Sequence, residues 1–153
     1  LYKPTYFQST TAPTSVYGEK SSPVCLVTFG RVFSFAAECK ERLEKQGLKV
    51  KLIKLNRIIP IDPEAIKEAL VCRHVFFLEE GIQRGGIGEH FAFLLEKAGF
   101  EGNFHLRAIE DPYIKHAPMF RSLETLGLNA DGIEHFVKDT LKQEKGGGHE
   151  ETA

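Results

Sequence analysis

No apolar run in this 153-residue chain approaches the roughly 18–20 residues that a membrane-spanning helix needs. No basic segment followed by a signal-like apolar stretch opens it either. Three cysteines, Cys25, Cys39 and Cys72, are too few and too scattered for a disulfide framework or a CxxC site. Cys25 stands in an apolar run and reads as a buried free thiol, which favours a reducing cytoplasm. A formal net charge of −1 lacks the basic surplus of a dedicated nucleic-acid binder. Nucleic-acid and membrane partners are therefore not expected. The chain opens at Leu1, as a fragment or processed chain would.

What is present suits one ordinary globular domain, with 42% hydrophobic and 27% charged residues. Residues 1–22 are rich in Thr, Ser and Pro and read as a linker or loosely attached arm. Residues 142–153 hold Gly146-Gly147-Gly148 among charges and are expected to be a disordered tail. Residues 23–141 form the domain between them.

Within it, apolar runs and helical patterns alternate. Val24-Cys25-Leu26-Val27-Thr28-Phe29 predicts a strand buried on both faces, stopped by Gly30. Val32, Phe35, Ala36, Cys39 and Leu43 recur at helical spacing, with charges opposite and Gly47 as the stop. Lys49-Val50-Lys51-Leu52 alternates with a period of two, predicting a strand with one less-buried face. Asp62 is placed to cap a helix that Pro63 begins and that runs to about Leu70. A third strand is expected over 74–78, a third helix over 89–98, a fourth strand over 104–109 and a last helix from about Ala130. This succession defines an α/β layered sheet with right-handed crossovers.

Chemical motifs are sparse. The stretch Gly85-Gly86-Ile87-Gly88 follows the third strand and opens a helix, a setting in which backbone N–H groups attract anions. Neither GxxxxGK[ST] nor a GxGxxG after the first strand accompanies it. The same glycines equally serve positive φ and close helix–strand approach. Glu79 and Glu80 lie where α/β sheets place ligands. Adjacent strand residues face opposite ways, however, so the two cannot readily act on one atom. The six histidines show no HExxH or paired spacing, so no metal site is assigned. His116 stands in a loop with Asp111, Tyr113 and Lys115, a composition suited to partner contacts. No nucleophile, base and orienting group can be assembled, and no catalytic residue is assigned.

Four segments in order resemble the C-terminal domain of the transketolase superfamily of thiamine-diphosphate enzymes. They are Leu26-Val27-Thr28-Phe29-Gly30, Leu55-Asn56-Arg57-Ile58-Ile59-Pro60-Ile61-Asp62, Phe77-Leu78-Glu79-Glu80 with Gly85-Gly86-Ile87-Gly88, and Asp111-Pro112-Tyr113-Ile114. Within the superfamily the chain is most similar to the 1-deoxy-D-xylulose-5-phosphate synthase family, through Leu126-Gly127-Leu128-Asn129-Ala130-Asp131-Gly132-Ile133. It departs from the pattern at Gly81-Ile82-Gln83-Arg84 and in the residues ahead of Asp111.

The resemblance implies a three-layer α/β/α domain whose mixed, mostly parallel sheet has about five strands, one of them antiparallel near residues 16–18. It implies a domain that packs on preceding thiamine-binding domains and supports a homodimer. Thiamine diphosphate and magnesium would then belong to those domains, with no cofactor bound here. Arg57, Asp62, Glu79, Glu80, Gly85, Gly86, Gly88, Asp111 and His116 become interdomain or interface candidates. In the synthase family a basic residue after Tyr-Pro holds the acceptor phosphate, and Tyr2-Lys3-Pro4 makes Lys3 the matching candidate. Two other readings stay open. One is the same domain of transketolase or of a 2-oxo-acid dehydrogenase β subunit. The other is a regulatory anion-binding domain using Gly85–Gly88 and Arg84.

Overall fold

A computed structural model describes residues 10–82, 85–109 and 126–147 of the chain. The elements run β1 (Thr14–Tyr17), β2 (Val24–Thr28), α1 (Val32–Lys45), β3 (Val50–Leu55), α2 (Pro63–Leu70), β4 (His74–Ile82), α3 (Ile87–Lys97), β5 (Asn103–Ile109) and α4 (Ala130–Gly147). The strands form one sheet in the order β1-β3-β2-β4-β5. β3, β2, β4 and β5 are parallel, and β1 pairs antiparallel with β3, Val16 opposite Ile53. The expected mixed five-stranded α/β fold is what forms.

The period of two sorts each strand between two layers. Val24, Leu26, Val50, Leu52, Phe76 and Leu78 pack under α1 and α4. Cys25, Val27, Ile53, Leu55, Val75 and Phe77 pack under α2 and α3. Fully burying each such Leu, Val or Phe contributes about 1.5–3 kcal/mol. β2 is buried at every position, as a central parallel strand covered on both faces must be.

Local signals set the helix ends. Asp62 caps α2, its carboxylate accepting from the Glu64 amide at 3.2 Å, with Pro63 in the first turn. Gly47 takes φ +88° just after α1.

Three boundaries and one burial differ from the sequence reading. The arm of residues 1–22 contributes β1, an edge strand too short and polar to show periodicity. β4 continues past Leu78, so both glutamates belong to the strand. β3 has no less-buried face at Lys51, whose side chain is fully buried. Its ammonium reaches the carbonyl and the carboxylate of Glu68 on α2, each at 3.1 Å. A buried lysine is tolerated only with such partners. Finally, α4 runs on to Gly147 and does not stop near Leu141.

Candidate functional site at the carboxyl edge of the sheet

In parallel α/β sheets ligands favour the crevice at the carboxyl ends of strands where the strand order reverses. Here β3 lies on one side of β2 and β4 on the other, so that crevice lies between the ends of β2 and β4. The chain's own side chains fill it. Thr28 Oγ1 donates to the Leu78 carbonyl at 2.8 Å. Arg31, just before α1, makes a two-pronged ion pair with Glu80, its Nε donating to Oε2 at 2.6 Å. That hydrogen bond raises the Arg31 pKa further.

Glu79 turns to the other layer. It is buried, and its Oε2 accepts from the Gly88 amide at 2.7 Å. The Ile87 amide donates to the same carboxyl group. These are the first two N–H groups of α3, which have no partner inside the helix. An internal carboxylate thus occupies the positive end of the helix dipole, where an external anion would otherwise bind. Burial raises the Glu79 pKa, and the two backbone N–H bonds oppose that rise.

The β4–β5 register shifts between Leu78 and Ile82, so β4 bulges at the glutamates. Alternation along β4, continued from Val75 and Phe77, keeps Glu79 on the α3 side and Glu80 over Arg31. Period-two reasoning correctly separated the pair.

The glycines have distinct jobs. Gly85 holds φ +73°, and its amide donates to Glu89 Oε2 at 3.0 Å. Gly86 has extended backbone that any residue adopts. Gly88 is required for space. A Cβ there would stand 2.8 Å from Phe77 Cδ1 and closer still to a Leu106 methyl.

Arg57 and Asp62 lie at the carboxyl end of β3. Arg57 is exposed, and its Nε donates to the Pro60 carbonyl at 3.2 Å. Asp62 ties α2 to β1 by accepting from Thr14 Oγ1 at 2.7 Å. The structure therefore gathers Arg57, Asp62, Glu79, Glu80 and the glycines along one edge of the sheet. Lys3, Arg84, Asp111 and His116 lie outside the described residues.

Sequence reasoning missed Arg31, whose partner is 49 positions away. Its place directly after the glycine that stops β2 was the available signal. A cavity of about 600 Å³ lies between Arg107 on β5 and Phe136 on α4.

The corner at Glu79, Glu80 and Gly85–Gly88 does not fit a thiamine diphosphate–magnesium site. The amides of Gly85 and Gly88 are engaged, both glutamates are partnered, and among the described residues no cluster of three or more His, Cys, Asp or Glu could hold a metal. No helix among them is long and apolar enough to cross a membrane.

Fold and edge together define an α/β/α domain with a mixed five-stranded sheet. Residues 16–133 match the family described as transketolase, C-terminal domain, and the chain belongs to that family. It is 28% identical over 125 residues to the 1-deoxy-D-xylulose-5-phosphate synthase of Brevibacillus brevis, covering 80% of this chain and 20% of the relative. The synthase of Lachnoclostridium phytofermentans is 32% identical over 113 residues, 72% of this chain and 18% of that protein. The chain thus spans about a fifth of the length of these relatives. A solved split-gene transketolase, described as an inactive beta4 tetramer, superposes with a TM-score of 0.77 at 24% identity. That match covers 91% of this chain and 46% of the other.

Proposed function

We propose that this chain serves as the C-terminal, interface-forming domain of a thiamine-diphosphate-dependent 1-deoxy-D-xylulose-5-phosphate synthase acting in the cytoplasm. The observation that carries the domain role is the internal pairing at the carboxyl edge. Glu79 is held by the α3 amides and Glu80 by Arg31, so the edge is built for rigidity and packing. The choice of synthase rests on the relatives, which bear that name.

The full enzyme would condense pyruvate with glyceraldehyde 3-phosphate for isoprenoid precursor synthesis. The cofactor's chemistry, carbanion formation and electron uptake, belongs to domains outside this chain. The described residues of this domain bind no cofactor and move no proton in the reaction. They hold a surface against the preceding domains and support a homodimer, and the isolated chain is inactive. Lys3 remains the candidate for the acceptor phosphate, with Asp111 and His116 as interface candidates.

The test is to express the complete reading frame and supply pyruvate with glyceraldehyde 3-phosphate. Carbon dioxide release with formation of a five-carbon ketose phosphate is expected. Turnover only with a ketose donor would assign a transketolase instead, and turnover only with a lipoyl acceptor a 2-oxo-acid dehydrogenase. The anion-binding alternative finds no support in the corner itself, because the Gly85 and Gly88 amides already face carboxylates.

A further inference from the structure

We propose that the cavity between β5 and α4 is a binding site for a small organic monocarboxylate, with Arg107 as its receptor and Phe136 as its floor. The cavity holds about 600 Å³, within the roughly 300–1,000 Å³ usual for small-molecule sites. Arg107 lines it half-buried, its guanidinium carbon 4.2 Å from the centre of the Phe136 ring. Among the described residues that ring is its partner, and no hydrogen bond or ion pair reaches it. A guanidinium that gives up water normally gains an acceptor in return. The N–H donors of Arg107 have none there.

The backbone is shaped to this position. Gly127 takes φ +68°, and a Cβ on it would stand 2.6 Å from Arg107 Nη1. A Cβ on Gly132 would stand 2.6 Å from the Gly127 backbone, so the second glycine lets the first close in. The Gly132 amide donates to Asn129 Oδ1 at 2.9 Å and fixes the turn. The stretch from Leu126 to Ile133 thereby builds the wall that holds Arg107 against Phe136.

The neighbouring charges select the ligand. Asp131 is paired with Arg42, and Asp139 lies 3.1 Å from His135 Nε2, which leaves Arg107 as the cavity's unmatched charge among the described residues. One negative charge balances it, and the planar guanidinium fork fits a carboxylate in two-pronged fashion. The second charge of a phosphate would meet the two aspartates that line the same cavity. Thr140 has committed its hydroxyl proton to the Phe136 carbonyl at 2.7 Å, whereas Gln143 offers an amide donor. The apolar part of the acid lies on the Phe136 ring.

The nitrogen-15-labelled chain is titrated at constant ionic strength with benzoate, acetate and inorganic phosphate, and its N–H resonances are followed. Benzoate should give saturable shifts at Gly127, Gly132 and the Arg107 Nε–H, half-complete at about 1 mM. Acetate, without a ring to lay on Phe136, should bind about tenfold more weakly. Phosphate should give no saturable shift at these groups. Arg107→Lys keeps the charge without the fork and should weaken benzoate about tenfold, and Arg107→Met should abolish its binding. Neither variant strands a polar partner, so both should keep the wild-type spectrum elsewhere. No saturation by either acid, shifts that map to other residues, undiminished binding to Arg107→Met, or phosphate binding as tightly as benzoate would each overturn the proposal. Where Arg107→Met does not fold, the wild-type map and Arg107→Lys decide.

Discussion

The two helical layers of this sheet are finished in opposite ways. The α1/α4 layer is laced with charges brought from distant parts of the chain. Arg42 on α1 holds Glu38 at 2.6 Å, Asp131, and Glu134 at 3.4 Å. Gln46 and Lys138 also bond to Glu134, at 3.0 and 2.8 Å. In the α2/α3 layer, among the described residues, no ion pair joins the two helices. An apolar groove of about 370 Å³ runs between them instead, lined by Ile61, Ile66, Leu70 and Leu94. Ile59, Val71 and Phe93 stand 77%, 67% and 58% exposed on this side. One layer is completed toward water, and the other leaves an apolar groove between its helices, with Glu79 and the Lys51 that pairs with Glu68 buried in that layer. Contiguous exposed apolar surface marks places where another molecule or domain packs.

The sharpest break in this contrast comes from Gly88. Gly88→Val forces side-chain atoms into Phe77 and Leu106 and should cost about 3 kcal/mol. Chemical denaturation should show it as a lower midpoint at unchanged slope. A midpoint equal to wild type would mean that α3 does not approach the sheet this closely.

Next in size is Glu79→Ala, which strands the Ile87 and Gly88 amides and should cost about 2 kcal/mol. Glu79→Gln keeps an acceptor and should cost less. Glu79 also carries a pH signature. Its folded pKa lies above the ordinary 4.5, so its contribution is fully present below pH 4.5 and is lost as pH rises through the raised value. Glu79→Gln should remove that decline from the stability–pH curve.

The other layer should respond to acid with the opposite sign. Lys138, then Gln46, hold the Glu134 pKa down to about 2, from an ordinary 4.5. Stability from Glu134 is therefore present above pH 4.5 and is lost as pH falls toward about 2. Glu134→Gln should cost about 1 kcal/mol at neutral pH, allowing for solvent screening of the partly exposed network, and should flatten the acid limb. A variant that still shows the full acid limb would show that other carboxylates cause it.

Phe93→Ser should have the smallest effect, within about 0.5 kcal/mol, because the ring already faces water. A large loss of stability would show that Phe93 packs in the isolated chain, and the contrast between layers would narrow.

Much of the fold was legible because neighbours in sequence determine it. Asp62-Pro63 marked the start of α2, and Val32 to Leu43 marked the buried face of α1. The antiparallel edge strand came from family resemblance alone, since residues 14–17 carry no apolar periodicity. Lys51 was misread because its charge mimics an exposed strand position. Only Glu68, brought over by α2, makes its burial tolerable. The corner was half legible. The glycines announced a strand-to-helix turn, and alternation separated the glutamates. That the anion on the α3 amides is the chain's own Glu79 depends on how closely Gly88 lets α3 approach Phe77 and Leu106, which no local pattern encodes. Arg31 found its partner only through the adjacency of β2 and β4.

We propose that the carboxyl edge is closed by internal partners and that this domain supports an enzyme whose cofactor site lies outside it. Calorimetric titration of the chain with thiamine diphosphate and magnesium tests it most directly. The account predicts no saturable heat with or without the metal. Tight, magnesium-dependent binding at one site per chain would contradict it.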